Sequence, residues 1–314
     1  MQGNANENLQ TKLSGEKVGK KISLLRDRNY ENGFGVMGVS GERGRENLGY
    51  FTYGGIADAK NKSVWQIGQW GGIGDLSSAN ETKLADGIWQ YSAAGKSVTV
   101  DTKNGRISLG VDGRKEYERL RKSGECWVHN LIEQSFEESV PFGGLSHFNL
   151  TLDYSVDRCD NYCGSEYDTD VHAAQLTLYL TLNNRPTATV FNADTGEWSN
   201  GRYDDFLWFG VPIFDNRKEF QPQNAAYDDG TKSYISSIDT RNYQSEPVKT
   251  GKRYRFTYDI LPEIRSAVKR AKDMGALKNV DENNMFFSYM NFGWEVPGTF
   301  DVSVTVNGLN LEID

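Results

Sequence analysis

Hydrophobic and polar residues alternate along much of this chain, and the alternation takes two forms. In the first form, apolar residues fill every second position and polar residues fill the positions between, as in residues 148–156, 172–182, 254–258 and 302–313. This pattern is typical of strands in a sheet that has one face in the core and one face in water. The sequence therefore predicts four β-strands with a solvent-facing side.

The second form has large side chains on both faces, and it occurs in residues 64–70, 126–136, 205–214 and 286–295. In 126–136, Trp127, His129 and Glu133 share one face, while Val128 and Ile132 share the other. A strand of this kind belongs in a sheet that is covered on both sides, and one of the coverings can be a ligand. We expect these four strands to form one sheet with a cleft, packed on a sheet of the alternating strands.

Turn and helix signals complete an all-β fold with one short helix. Asn104-Gly105 predicts a hairpin, because both residues tolerate the positive φ angles of a tight turn. A helix is predicted with Asp259 as its cap, Pro262 in its first turn and Gly275 at its end. The predicted fold is an all-β, two-sheet antiparallel jelly-roll sandwich with one short helix; the resemblance described below implies the concanavalin A-like lectin and glucanase type of this fold.

The domain organisation follows from composition. Residues 1–20 are polar and predict a flexible lead, and no repeat or Pro/Ser-rich linker divides residues 21–314, which we interpret as a single domain. With 37% hydrophobic residues, 33 glycines and many aromatic residues, the composition favours strands and turns. Among the 314 residues, no apolar run of about 18 residues that would span a membrane occurs.

Charge and compartment limit the partners. The net charge of −8 argues against nucleic acid, which needs clustered Lys and Arg. The first residues lack the apolar segment of a signal peptide, so we expect either a native start or a removed leader, and a secreted or periplasmic protein. Cys126, Cys159 and Cys163 form no metal signature; Cys159 and Cys163 could pair in an oxidising compartment.

Trp residues recur next to amides and acids in the two-faced strands. Aromatic rings cover the flat C–H faces of sugars, and amide or carboxylate groups bond the hydroxyl edges. The predicted carbohydrate-binding residues are Trp65, Gln69, Trp70, Trp127, Gln134, Trp208, Asn291 and Trp294. The alternative is that these tryptophans pack in the core.

Carboxylates are the candidates for catalysis. Glycoside hydrolysis needs two carboxyl groups, about 5–5.5 Å apart for retention and about 6.5–9.5 Å apart for inversion. Glu133 has no acidic residue two positions away, so its partner must come from another strand, and Glu295 and Asp205 are the candidates. His129 offers a different chemistry, because a polysaccharide lyase needs a base, here supported by Gln134 and Tyr289.

A metal site is expected at most in one loop. Residues 157–170 are rich in oxygen ligands and would suit a structural Ca²⁺, although they fit no defined calcium-loop pattern. No nucleotide-binding or nucleophile-elbow motif occurs, and no catalytic metal or other cofactor is predicted.

Several motifs together resemble a known group of proteins. These are residues 65–71 (WQIGQWG), 127–134 (WVHNLIEQ), 172–176 (HAAQL), 207–215 (LWFGVPIFD) and 291–302 (NFGWEVPGTFDV). The chain resembles bacterial concanavalin A-like jelly-roll proteins of poorly defined function that are associated with carbohydrate use. The resemblance implies the fold and a carbohydrate connection, and it brings no catalytic residues with it.

Three hypotheses follow from the sequence. The first is a protein that binds an oligo- or polysaccharide in a cleft lined by Trp, Gln, Asn and Glu. The second is a glycoside hydrolase or polysaccharide lyase acting in the same cleft. The third is a structural or interaction module whose aromatic residues are simply core.

Overall fold

The computed structural model describes residues 21–39, 47–184, 191–192, 197–198, 206–228, 233–277 and 280–314. Its strands, in chain order, are β1 Ile22–Ser23, β2 Phe34–Met37, β3 Asn47–Phe51, β4 Trp65–Gly68, β5 Asn80–Ala85, β6 Ile88–Ala93, β7 Lys96–Asp101, β8 Arg106–Asp112, β9 Val128–Pro141, β10 Phe148–Asn161, β11 Gln175–Asn183, β12 Phe191–Asn192, β13 Glu197–Trp198, β14 Phe206–Asp215, β15 Asn224–Asp228, β16 Ser233–Ser237, β17 Arg253–Asp259, β18 Phe286–Val296 and β19 Phe300–Ile313. The helices are α1 Ala59–Lys62 and α2 Leu261–Asp273.

The strands form two large sheets. Sheet A has eight strands in the order β17-β10-β19-β8-β7-β6-β5, with β1 beside β19. Sheet B has nine strands in the order β15-β16-β14-β11-β18-β9-β4-β2-β3. Nearly all neighbours are antiparallel, and the parallel pairs β2–β4 and β14–β16 lie in the two outer parts of sheet B.

The core lies between the two sheets. Leu150 and Leu152 of β10 face it from sheet A, and Leu178 of β11 and Phe292 of β18 face it from sheet B, all fully buried. Polar side chains also bridge the sheets: the Nδ2 of Asn130 donates to the Ser97 and Gly110 carbonyls of sheet A at 3.0 Å each. The alternating apolar positions thus close a sandwich by burying hydrocarbon on both inner faces.

The separation of the strands into two kinds predicts sheet membership in all cases but one. The four two-faced segments became β4, β9, β14 and β18, and all of them lie in sheet B. The alternating segments 148–156, 254–258 and 302–313 lie in sheet A. The prediction for residues 172–182 is wrong: β11 lies between β14 and β18 in sheet B, because its polar positions face the outer side of that sheet rather than open water.

The predicted turn and helix are both present. Gly105 has φ +60° in the β7–β8 hairpin, as the Asn-Gly signal requires. The N-cap of α2 is Ile260 rather than the predicted Asp259, which lies one residue earlier and whose Oδ1 accepts from the Leu261 N–H. Pro262 lies in the first turn, and Gly275 follows the end with φ +94°. The helix buries Ile264 and Val268 and packs against β14, β15 and β16.

Some elements were not predicted. The β5–β6 hairpin and the pair β15–β16 carry few large apolar residues, and all six residues of β5 are exposed. In the part of the chain that the structure describes, no helix is both long enough and apolar enough to cross a membrane.

Candidate functional site

The outer face of sheet B, which is turned away from the core, carries a band of polar and aromatic residues that runs across the strands, and we interpret this band as a shallow cleft. Two cross-strand rows form its floor: Gly68, Leu131, Gly293 and Thr177 in one row, and Gln66, Glu133, Asn291 and Tyr179 in the next. The rims are His129, Glu295 and Gln175 on one side, and Ser135, Tyr289 and Trp208 on the other. The middle of the floor is buried while the rims are partly exposed, which is the shape of a cleft.

A glycine leaves one position of the floor without a side chain. Gly293 has φ +155°, and a Cβ at this position would lie 2.3 Å from the carbonyl oxygen of Asn130. No side chain fits there without moving backbone, so only glycine suits this point of β18. Glycine here lets β9 and β18 approach each other closely, two residues before Glu295 on β18.

Glu133 lies in the second row and is fully buried. Its Oε1 is 2.6 Å from the position that a Cβ on Gly68 would occupy, and the Trp70 ring is 3.3 Å from the same point. Gly68 pairs with Leu131, two residues closer to His129 along β9. The Glu133 carboxyl therefore leans along the cleft toward the rim that holds His129 and Glu295.

His129 and Glu295 are direct cross-strand neighbours on the rim. The His129 Nδ1 lies 3.2 Å from the Trp70 carbonyl and 3.0 Å from the Trp127 carbonyl. Since carbonyls only accept, we assign the hydrogen to Nδ1. The Nε2 then faces the Glu295 Oε1 at 3.6 Å, and a proton on either atom makes this contact attractive.

Gln175 and Asp215 continue this rim away from Glu295. The amide of Gln175 donates to Asp215, and Arg217 binds the same carboxylate through its Nε at 2.9 Å and its Nη2 at 2.6 Å. Burial acts to raise the pKa of Asp215, but the hydrogen bonds from Arg217 outweigh it and lower the pKa. Asp215 is thus a fixed carboxylate that is already engaged with Arg217.

Aromatic side chains form the opposite part of the cleft. Trp208 meets Tyr179 and Tyr289 edge to face, with ring centroids 5.8 and 6.1 Å apart. Burial, together with the negative charges of Glu295 and Asp228, raises the pKa of Tyr179 well above its usual value, so its phenol remains a neutral hydrogen-bond donor. The cleft therefore presents aromatic faces and neutral polar groups beside its carboxylates.

Four of the eight predicted carbohydrate-binding residues lie at this outer face or beside it: Trp70, Trp127, Trp208 and Asn291. Trp127 precedes β9 and is 38% exposed, and its carbonyl accepts from His129. Asn291 is Glu133's neighbour in the floor. Their role in binding a carbohydrate stays a prediction.

The other four predicted residues are buried away from the cleft, so the prediction that they line it is wrong. Trp65 and Trp294 fill the core, where their indole N–H groups donate to the Asp27 and Leu109 carbonyls. Gln69 is fully buried and bonds Met37, Asp75 and Leu76, whereas Gln134 clamps the backbone of Arg26. Each amide fixes backbone groups of another chain segment.

Three of the four predicted catalytic residues, Glu133, Glu295 and His129, lie on the outer face of sheet B, where only His129 and Glu295 are direct neighbours. Asp205 lies outside the described residues. The lyase trio is not assembled, because Gln134 points into the core while His129 and Tyr289 face outward. Sequence reasoning missed Gln175 and Tyr179, which assignment of β11 to sheet B would have revealed.

The acidic loop forms no metal site. Among the described residues, no three His, Cys, Asp or Glu side chains come together as metal ligands, and residues 157–170 are included in that statement. The expected Ca²⁺ therefore has no ligand cluster in this loop. All three cysteines are free thiols, so Cys159 and Cys163 are not paired here.

Gly68→Ala tests the placement of Glu133. The added methyl would meet the end of the Glu133 side chain, which can swing aside, so we expect the free energy of unfolding to change by less than about 1 kcal/mol. If Glu133 is catalytic, a displacement of 1 Å lowers turnover by up to about 10²-fold. Gly144→Ala, where no atom lies within 4 Å of the new methyl, is the matched control. A full rate in Gly68→Ala would remove Glu133 from the chemistry.

The two sheets and the cleft define the fold class: an all-β jelly-roll sandwich with a polar and aromatic cleft on the outer face of one sheet. No protein-family model matches the chain, and no curated protein sequence does.

Solved structures with a related fold include three glycan-degrading enzymes. A cellulase derived from Cel12A of Rhodothermus marinus is 8% identical, with 77% of this chain and 99% of that chain covered and a TM-score of 0.44. A family 12 xyloglucanase from Bacillus licheniformis is 8% identical, with 75% of this chain and 97% of that chain covered and a TM-score of 0.43. The xyloglucanase domain of NopAA from Sinorhizobium fredii, in complex with cellobiose, is 8% identical, with 76% of this chain and 100% of that chain covered and a TM-score of 0.40. These likenesses assign no residue of this protein a role.

Proposed function

We propose that this protein binds a glycan chain in the sheet B cleft and hydrolyses it, with Glu295 as the proton-transferring carboxyl group. The observation that carries the proposal is the position of Glu295 on the cleft rim, 20% exposed and 3.6 Å from the Nε2 of His129. A carboxyl group that solvent reaches, beside a second group able to hold a proton, is what general acid–base chemistry requires.

The dimensions and lining of the cleft support a chain-like ligand. The floor crosses β4, β9, β18, β11 and β14, which at about 4.8 Å per strand interval gives about 19 Å. Aromatic rings stand at both ends, with Trp70 near β9 and Trp208 on β14. Between them lie the neutral donors and acceptors of Gln66, Asn291 and Tyr179. This arrangement suits an oligo- or polysaccharide, of the kind that the three enzymes above are named for cleaving.

Glu133 is the proposed second carboxyl group. It lies four residues along from Glu295 on the neighbouring strand, which places their Cα atoms about 14 Å apart. Its carboxyl lies against Gly68 of β4, on the side of β9 that is away from β18. The direct neighbours of Glu295 are His129 and Gln175, neither of which is a carboxylate. Of the two mechanisms, this wide separation is compatible only with inversion, in which a water stands between the sugar and the base, and a ligand-induced movement of the buried Glu133 would be part of the proposal.

Binding without turnover is the second candidate function, and a specific observation favours it. The carboxylates closest to Glu295 in the described part of the cleft are poorly reachable: Glu133 is fully buried, and Asp215 is held by Arg217. A lectin-like cleft would use Glu295 and Gln175 only as hydrogen-bonding groups for sugar hydroxyls. On either function the ligand is a polymer that lies outside cells, so the proposal includes a secreted or periplasmic location.

A glycan screen that reads binding and product release together tests the proposal. The purified protein is incubated with neutral and acidic plant, microbial and host polysaccharides, and bound sugar and new reducing ends are measured. We expect one class of neutral glycan to bind and to yield new reducing ends. Binding without reducing ends would favour the second candidate, and no binding to any glycan would contradict both.

A further inference from the structure

The loop of residues 69–74 connects β4 to the rim of the cleft and is rich in glycine. The carbonyl of Trp70 in this loop accepts from the His129 backbone N–H at 2.7 Å and lies 3.2 Å from its Nδ1. The Trp127 carbonyl lies 3.0 Å from the same Nδ1, so two peptide carbonyls together favour hydrogen on Nδ1 and leave Nε2 facing Glu295.

A buried lysine fixes the peptide groups on either side of Trp70. The Nζ of Lys96, on β7 of the opposite sheet, donates to the carbonyls of Gln69 at 3.0 Å and Gly71 at 2.7 Å, and to Gly74 at 2.9 Å. Lys96 is 1% exposed, so these bonds are made away from water. With the carbonyls before and after it turned toward Lys96, the Trp70 carbonyl is left to face His129.

A buried carboxylate completes the arrangement. Glu116 is 2% exposed and lies 3.7 Å from the Lys96 Nζ. Its oxygens accept from the backbone N–H groups of Ile73 and Gly74 at 2.9 Å each, and of Gly95 at 2.7 Å. Lys96 thus binds carbonyl oxygens of the loop, and Glu116 binds its backbone N–H groups. A buried ion pair with all of these hydrogen bonds is costly to break.

We propose that Lys96 and Glu116 are positioning residues that hold the Trp70 carbonyl against His129 and so set the tautomer and orientation of the imidazole beside Glu295. The proposal rests on the proposed function for its effect on glycans, but its effect on His129 does not depend on any ligand. Neither Lys96 nor Glu116 touches the cleft floor, so each acts only through the loop.

The pH dependence follows from the burial of Lys96. Burial lowers its pKa to about 8, while the charges that face it, Glu116 and Asp75, act to raise the pKa. Above that pH a neutral amine has one donor fewer for the three carbonyls, and the loop loosens. The unfolded chain, with a lysine pKa of about 10.4, then binds more protons at this group than the native protein does. The contribution of Lys96 to the free energy of unfolding therefore rises with pH between the folded-state and unfolded-state pKa values of this lysine. The loosening of the loop is thus local and is not global unfolding.

The test is Lys96→Met in the full chain, read by the imidazole ¹⁵N and ¹H resonances. The chain has three histidines, and His129→Gln identifies the resonances of His129. In the wild-type protein we expect the hydrogen on Nδ1 at pH 7, and a titration of the His129 environment with a midpoint near pH 8 that follows Lys96. In Lys96→Met the Nδ1 keeps the Trp127 carbonyl but loses the fixed Trp70 carbonyl, so we expect a larger share of the Nε2–H tautomer than in the wild-type protein. We also expect a glycan dissociation constant raised about tenfold, the equivalent of one charge-assisted hydrogen bond.

Controls separate this effect from general damage. Lys103→Met removes an exposed lysine, 58% exposed in its side chain, and should change neither readout. If Lys96→Met fails to fold, Glu116→Gln and the wild-type pH titration carry the test, because an amide at 116 cannot accept from three N–H groups as a carboxylate does. A folded Lys96→Met with the wild-type tautomer would overturn the proposal. Failure of every glycan to bind, with the His129 readout as expected, would overturn only the proposed function.

Discussion

Glu295→Gln is expected to lower the rate of glycan hydrolysis by about 10²–10⁴-fold, the usual contribution of a general acid or base. The amide keeps the size of the side chain and its ability to bond a sugar hydroxyl, so the dissociation constant should change little. Because Glu295 is partly exposed and its described partner is His129 at 3.6 Å, the substitution leaves the fold intact. Initial rates of reducing-end release and binding isotherms on the same glycan measure the two effects separately.

The control for this substitution is Glu312→Gln on β19. Glu312 belongs to sheet A and lies far from the cleft in the strand order, so its loss removes one carboxylate without touching the proposed chemistry. Equal rates for Glu295→Gln and the wild-type protein would show that Glu295 is not a proton-transferring group. A weakened affinity with an unchanged rate would make it a binding residue instead.

Trp294→Ala is expected to lower mainly the stability of the protein, and Trp208→Ala mainly its affinity for a glycan. Trp294 is fully buried in the core, and its indole N–H donates to the Leu109 carbonyl at 3.2 Å, so its truncation should lower the free energy of unfolding by about 3–5 kcal/mol. Trp208 stands on the cleft rim against Tyr179 and Tyr289. Its truncation should cost stability on the order of the 0.5–1.5 kcal/mol of an aromatic pair, but should weaken glycan binding clearly.

Each tryptophan variant is the control for the other. Denaturant unfolding measures the stability of both, and binding is then compared under conditions in which both are folded. Full glycan affinity in Trp208→Ala would remove this side chain from the site. A loss of stability in Trp208→Ala as large as that in Trp294→Ala would make it a packing residue, as the third hypothesis from the sequence holds.

The strands could be predicted because burial on one face or on two leaves a direct mark on the sequence. The two-faced pattern of residues 126–136 placed β9 in the same sheet as β4, β14 and β18. The pattern could not separate water from a cleft, since both accept polar side chains. Thr177 and Tyr179 of β11 therefore indicated a solvent face, although they line the floor beside Glu133 and Asn291.

Only part of the candidate site could be predicted from the sequence, because amide and indole side chains of the same type lie both in the cleft and in the core. Gln69, Gln134 and Asn291 have the same chemistry, but the first two hold backbone segments inside the molecule and the third lies in the floor. Trp65 and Trp70 are five residues apart and differ only in what their neighbours in space require. Residue type and local alternation carry no record of such long-range partners. For the same reason they did not predict the buried pair formed by Lys96 and Glu116.

The most direct measurement of the central claim is the structure of the Glu295→Gln variant crystallised with an oligosaccharide that the wild-type protein cleaves. We predict a sugar chain lying across the strands of sheet B, stacked near Trp208, with a glycosidic oxygen within hydrogen-bonding distance of residue 295. A sugar bound elsewhere on the molecule, or a wild-type protein that releases no product from any bound glycan, would contradict it.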